Sequence, residues 1–369
     1  MLAFRYIAFH YIKYFVIILA ALTAFMVGFD FMENSGHLPK SANLVMIYVA
    51  YKIFYAVDML LPLSLVFGMI ATKVLLIRSN ALVAFYSLGY SKNDVLKPFV
   101  IVSIIIITIY VSLHTTAAFA RANEYATNIA KHSSYLRPSS NLFFTYENKY
   151  IFFGKLFPLQ QRATDVRVFE IANNNLKEVV VAESAYYQEG YWHVPKAHVL
   201  TKPEVISFTG EGITVQEQET LSILKGFKPK ILDQVYEGKV NYTILDAIDA
   251  LFLLSNQNVN IDRIKSALYK TFLNPLFVPS LIIIIFFFVP ISQRFLNITL
   301  FSFGAILATL ITWSVLFILS ELSFNKAIPS ELGIVLPVFV LFLAAIWNWM
   351  RHATPSKPKK SALDDEGTA

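Results

Sequence analysis

The sequence predicts an α-helical polytopic membrane protein with six transmembrane helices, three on each side of an inserted all-β domain. Three observations carry this. Long apolar runs dominate both ends of the chain, which is 56% hydrophobic and 15% charged, whereas soluble domains carry about 25% charged residues. A block of short alternating segments fills the middle. Basic residues gather at every second junction between the apolar runs.

The first span covers Ile12 to Phe29, with Lys13 snorkelling from its cytoplasmic end. A signal peptide is the rival reading, but Asp30-Phe31-Met32-Glu33 follows the run and no small-x-small cleavage pattern does. A second apolar segment runs from Ala42 to Ile77, too long for one crossing. Its first part is read as lying along the interface or as a tilted extension, leaving Val57 to Ile77 as the span, with Lys73 snorkelling near its cytoplasmic end. The remaining spans are Val95–Leu113, Phe272–Val289, Phe295–Leu319 and Gly333–Trp349. Arg5, Arg78, Lys92, Lys97, Arg294, Arg351, Lys357, Lys359 and Lys360 then share one side, while Asp30, Glu33, Glu321 and Glu331 share the other. Both termini are therefore expected in the cytoplasm and the middle domain outside it. The net charge of +6 reflects these flanks rather than a nucleic-acid partner.

In the middle domain, strands are expected at Lys149–Leu156, Val166–Ile171, Leu176–Tyr187, Tyr191–Leu200, Val205–Phe208 and Ile213–Val215, with turns at Asn173-Asn174-Asn175 and Glu189-Gly190. So many short strands predict a sandwich or open barrel. Between Tyr242 and Tyr269, Ile244, Ile248, Leu251 and Leu254 return at helical spacing. The expected division is 1–120 for the first three spans, 121–240 for the β domain, 241–267 for connecting helices, 268–350 for the last three spans, and 351–369 for a disordered tail.

The stretch 79–91, SNALVAFYSLGYS, lies between spans two and three. Ala81, Leu82, Phe85 and Leu88 form an apolar stripe, Gly89 suits a helix C′ position, and Ser91 or Asn93 suits the cap of the next helix. Such a helix is either an interfacial linker or a knob that docks on a cytoplasmic partner. Gly304 and Ala308 form a small-xxx-small pair suited to close helix packing or to lipid contact. Lys40, Lys52 and Lys326 lie on the outer side and are candidates for contact with a lipid phosphate; a solvated or snorkelling role is the simpler alternative. Asp58 is expected to pair with Lys52, to cap backbone near Pro62, or to face water. His193 and His198, five apart on a strand, are expected on opposite faces, and no metal site is expected. The chain has no cysteine, which excludes disulfides and thiol catalysis, and no nucleophile–base pair or phosphate-binding loop ending in Gly-Lys-Ser/Thr is found.

Several segments resemble the lipopolysaccharide export permease family. These are RYIAFHYIKYFVIILAALTAFMVGFDFMEN at 5–34, LPLSLVFGMIATKVLLIRSNALVAFYSLGYS at 61–91, NPLFVPSLIIIIFFFVPIS at 274–292 and IPSELGIVLPVF at 328–339. The likeness is most specific at Pro62, Leu63, Asn80, Leu82, Ala84, Ser87, Gly89 and Ser91, and the end of span one leans to the G-type member of the pair. One departure stands out: Ala81 occupies a position where members usually carry an acidic residue.

The resemblance implies a non-enzymatic permease subunit in the bacterial inner membrane that extracts lipopolysaccharide, with a periplasmic domain of jelly-roll type. It implies a homologous second permease subunit, a cytoplasmic ABC ATPase dimer, a single-span periplasmic β-domain partner and a periplasmic bridge protein. No cofactor would be bound by this chain; ATP and Mg would be used by the partner ATPase. Arg78, Leu82 and Phe85 become the expected coupling residues, with Ala81, Leu88, Gly89 and Ser91 completing the helix. The rival readings are a subunit of another ABC system, whose usual four spans fit badly, and an envelope scaffold using the β domain to bind proteins.

Overall fold

A computed structural model describes residues 2–131, 139–146, 149–157, 160–172, 175–203, 212–225, 243–254, 261–288 and 297–353. The expected strand Val205–Phe208, Arg294 and the tail beyond Ala353 lie outside the described residues.

Helix α1 (Leu2–Asn34) leads through a short 3-10 turn to α2 (Ala42–Arg78), then α3 (Ala81–Ser87), α4 (Lys92–Leu113), α5 (Ala117–Ala120) and α6 (Ala122–Lys131). Six strands follow: β1 (Ser139–Tyr146), β2 (Lys149–Phe157), β3 (Arg162–Ala172), β4 (Asn175–Gln188), β5 (Tyr191–Thr201) and β6 (Thr214–Ile223). The chain returns through α7 (Ile244–Leu254), α8 (Asp262–Phe272), a 3-10 turn (Asn274–Leu276), α9 (Phe277–Phe287), α10 (Ile298–Phe324), a π-helical turn (Glu331–Val335) and α11 (Leu336–Ala353). Among the described residues, six helices are long and apolar enough to cross a membrane: 2–37, 42–78, 92–113, 262–287, 298–324 and 331–352.

The 37-residue α2 is one continuous helix through Pro62, about 55 Å long at 1.5 Å per residue. It exceeds a hydrocarbon core of about 30 Å, and its first turns continue the same helix rather than breaking into a separate interfacial segment. There Tyr48 packs with Ala126 and Ala130 of α6. Lower down, Gly68 faces the backbone of Phe15 in α1, where an added Cβ would stand 3.0 Å from that backbone; the missing side chain lets the two helices touch. One apolar core joins α1, α2, α3 and α4 to α9, α10 and α11, with Tyr11, Leu65, Met69, Phe99, Phe277 and Ile282 among its buried members.

The inserted domain is a single antiparallel sheet in sequential order β1 to β6, each strand pairing with its neighbour in the chain. No second sheet occurs among the described residues. Its core face carries Phe153, Val166, Ala182, Trp192 and Val194, and the same cluster continues into Ala247 and Ala250 of α7 and Ile264 of α8. The sheet is therefore tied to the helix that runs on into the fourth span. Alternation places β2 to β5 where the sequence reading has them. β1 was not foreseen, although Leu142, Phe144 and Tyr146 alternate into the core. β6 runs well past Ile213–Val215, because its TVQEQETLSI sequence is mostly exposed and shows no apolar alternation.

The two histidines correct one expectation. On β5 the core-facing residues are Trp192 and Val194, then Ala197 and Val199. The alternation slips by one at Pro195-Lys196, so His193 and His198 both face away from the core. His193 meets Ser222 Oγ at 3.1 Å and His198 meets Glu217 at 3.5 Å. No cluster of three or more metal-ligating side chains exists among the described residues.

Candidate functional site

The cytoplasmic helix α3 is built by its ends. Asn80 turns the chain out of α2 in the left-handed conformation, φ 55°, which asparagine tolerates better than most residues. At the other end Gly89 has φ +86°, Gly89 N–H donates to Tyr86 O, and Tyr90 N–H donates to Phe85 O, both at 3.1 Å. This is a Schellman stop with glycine at C′. Ser91, not Asn93, caps α4: Asp94 N–H donates to Ser91 Oγ at 3.2 Å and Ser91 N–H to Asp94 Oδ2 at 3.1 Å, a capping box.

The stripe divides between the two faces of α3. Leu82 is 1% exposed and belongs to the membrane core. Ala81, Phe85 and Tyr86 pack against that core, and the Phe85 ring lies edge-on to Tyr6 of α1 at 6.1 Å. Leu88 is 75% exposed, and Val83, Ala84, Ser87, Gly89, Ser91 and Arg78 are also exposed. An anchored inner face thus presents a small outer face.

Above Arg78 in the same chain, Lys73 departs from expectation. It does not snorkel. It is 2% exposed, its ammonium donates to the backbone carbonyl of Phe286, and it lies 3.9 Å from the Phe286 ring centroid.

At the outer end, a cavity of about 370 Å³ opens between the two membrane halves. Asp58, Tyr110 and His114 line one wall, and Lys270, Trp313 and Glu321 line the other. Asp58 pairs with neither Lys52 nor the backbone near Pro62. Its Oδ1 accepts from Tyr110 Oη at 2.8 Å and lies 3.0 Å from His114 Nε2. His114 Nδ1 lies 3.1 Å from Tyr110 O, so both ring nitrogens face oxygen acceptors. Across the cavity Lys270 pairs with Glu321 at 3.2 Å.

Of the outer lysines, Lys52 is held by Asp30 at 2.8 Å and by Asn123 Oδ1 at 3.3 Å, and Tyr48 Oη donates to the same Asp30. Lys40 and Lys326 are exposed and pair with no carboxylate among the described residues. Gly304 and Ala308 are exposed on α10, and nothing lies within 4 Å of a Cβ built on Gly304; among the described residues the pair packs on no helix of this chain.

The Lys73 and His114 contacts escaped the sequence reading. Tyr110 and His114 stand four apart on one helix face, a spacing that could have flagged a polar site at the end of span three. Nothing local marks Lys73, whose partner lies 213 residues away.

A family model described as lipopolysaccharide export system permease LptF/LptG matches residues 5–351. No curated protein matches the chain.

Proposed function

Because the chain belongs to the lipopolysaccharide export system permease family LptF/LptG, we propose how its parts divide the work of that permease. As a member it is a multi-pass inner-membrane subunit that handles lipopolysaccharide export in an ABC-type system, with the β domain in the periplasm between the third and fourth spans. It belongs to an ABC export complex; the identity of each partner and the contacts below are our reading.

A cytoplasmic ATPase dimer grips α3. The observation that carries this is the division of α3 into a buried face, Leu82 with Ala81 and Phe85, and an exposed face around Val83 and Leu88. A knob moved by a motor must be fixed to the spans on one side and free on the other. With Ala81 in place of the family's usual acid, docking rests on apolar burial, at roughly 25 cal/mol per Å² before ordering costs, and on the exposed Arg78 as a polar contact. Gly89 and Ser91 set the angle at which the knob stands. A second, homologous permease closes the lipid cavity, and the exposed Gly304–Ala308 face gives one of its helices close approach. Lys40 and Lys326 are the outer cations free to meet a lipid phosphate; Lys52 already serves Asp30. The edge strands of the sheet accept the β domain of a single-span partner and then a bridge protein by strand addition.

Purification in mild detergent tests this reading. The tagged chain should bring down an ATPase, a similar six-span protein and a single-span β-domain protein, with ATP hydrolysis that responds to lipopolysaccharide. Stable isolation of the chain without any ATPase would overturn it.

A further inference from the structure

Among the described residues, Lys73 is the one Lys, Arg, Asp or Glu side chain that is buried. Its placement is costly. An ammonium withdrawn from water without a carboxylate loses several kcal/mol of hydration, and ionisable groups at membrane depth are retained where they act. No carboxylate pairs with it among the described residues. Its acceptor is the Phe286 carbonyl, in the last turn of α9, where backbone carbonyls lack helical partners and the helix dipole is negative.

Position sharpens the point. Lys73 sits in α2, a little over two turns before α3 begins, and α2 belongs to the first membrane half while α9 belongs to the second. The Phe286 ring lies 6.2 Å from Phe99 of α4, and Phe99 lies 5.2 Å from Tyr11 of α1. Next to Phe286, Phe287 stacks on His352 of α11 at 5.2 Å. The amine therefore joins α2 to α9 at the cytoplasmic side, and its partner Phe286 carries the contact on to α4. Apolar contacts between α2 and α9 could slide past one another at little cost. The amine–carbonyl contact resists sliding, because parting it strands a buried hydrogen-bond donor.

We propose that Lys73 is a positioning residue that transmits displacement of α3 into the cytoplasmic end of α9, keeping lipid movement in step with ATP hydrolysis. The proposal rests on the reading of α3 as the ATPase-coupling helix.

The test uses the whole complex, purified from membranes and placed in proteoliposomes containing lipopolysaccharide. The readout is lipopolysaccharide moved per ATP hydrolysed, a ratio that does not change when fewer complexes fold. Lys73→Met keeps the apolar stem and removes the charge. Its complex should retain the ATPase and hydrolyse ATP within about two-fold of the wild type. The transport ratio should fall about ten-fold or more, as expected for loss of one hydrogen bond to a charged group. Lys73→Arg, which keeps a cation at the junction, should recover part of that ratio. A Met variant with the wild-type ratio overturns the proposal, and so does one that loses the ATPase, since Lys73 would then only hold α3 in place. If the Met variant does not assemble, Lys73→Gln is read by the same criteria; failure of both to assemble assigns Lys73 to folding alone and also overturns the proposal. Absence of ATPase from the wild-type complex would instead sink the coupling reading, before any variant is compared.

Discussion

The two ends of α2 handle charge in opposite ways. At the outer end each buried or half-buried charge has a counter-charge or a hydrogen-bond partner: Lys52 with Asp30 at 2.8 Å, and Asp58 with His114 at 3.0 Å and Tyr110 at 2.8 Å. These contacts bind α2 to α1 and α4. At the inner end Lys73 has one backbone carbonyl, supplied by the other membrane half. Removing one member of a buried pair is far costlier than its net contribution suggests. The outer end is thus a fixed anchor within one membrane half, whereas the inner end is tied to the other half by one contact that a moving helix carries with it. On the proposed reading of α3 as the gripped end, a helix about 55 Å long that is pinned at its outer end works as a lever.

The comparison breaks most decisively at α3. Phe85→Asp puts a carboxylate against the membrane core and the Tyr6 ring. The chain should still reach the membrane, but ATPase recovered with it should fall by more than about ten-fold, since an unpaired charge forced into that contact costs several kcal/mol. Wild-type recovery of ATPase on this variant would mean that force does not enter through α3.

The anchor is tested by breaking a pair and then removing both members. Lys52 is 11% exposed, so Asp30→Leu leaves its ammonium short of a counter-charge and should cost about 2 kcal/mol in detergent unfolding. Adding Lys52→Met should return at least half of that loss. A double variant less stable than the single one would show that the outer charges do not act as a pair.

Gly89→Ala makes a smaller break in the inner end. At φ +86° a Cβ adds about 1 kcal/mol of backbone strain and no clash, since nothing lies within 4 Å. ATPase recovery should drop about five-fold while the β domain melts unchanged. An equal drop for Gly36→Ala, at another glycine with open space around its Cβ, would remove any special role for the Schellman stop.

How much of this was legible before the structure follows from what is local. Spans, strands β2 to β5 and the cap residues Gly89 and Ser91 are written in periodicity and turn chemistry, and they stand where those rules put them. The apolar stripe of α3 was legible too, but not which of its members would turn inward: Leu82 joins the buried membrane core and Leu88 does not, a matter of tertiary packing. Charge pairing was the least legible. Asp58 has Lys52 within two turns of the same helix, yet it bonds Tyr110 and His114 from span three, and Lys52 bonds Asp30 from span one. Neighbours along one helix point to one face only if their spacing matches its turn; partners across helices are set by the packing of the bundle. The slip at Pro195-Lys196 defeated the parity rule for the histidines in the same way, since alternation holds only while the pleat is unbroken.

The exposed sheet provides the control that sharpens the contrast. Lys149 pairs with Glu170 at 3.0 Å, with Glu170 31% exposed. The hydrogen bond and charge of Lys149, with Lys177 beyond, hold the Glu170 carboxyl below its usual range. A carboxyl depressed in the folded state stabilises above its unfolded pKa of about 4.3, and that contribution disappears as pH falls through the lower folded value. Wild type and Glu170→Gln should therefore differ by a constant, small amount from pH 7 down to about 5 and converge below that. Trp192, fully buried in β5, reports the melt by its emission once Trp313, Trp347 and Trp349 are replaced by Phe. The gap at pH 7 should correspond to less than about 1 kcal/mol, because water screens the pair. A gap that widened on acidification would reverse the sign of the assignment. A gap as large as that for Asp30→Leu would show that pairing matters equally in water and at the membrane, and the distinction between the two ends of α2 would then rest on packing rather than charge.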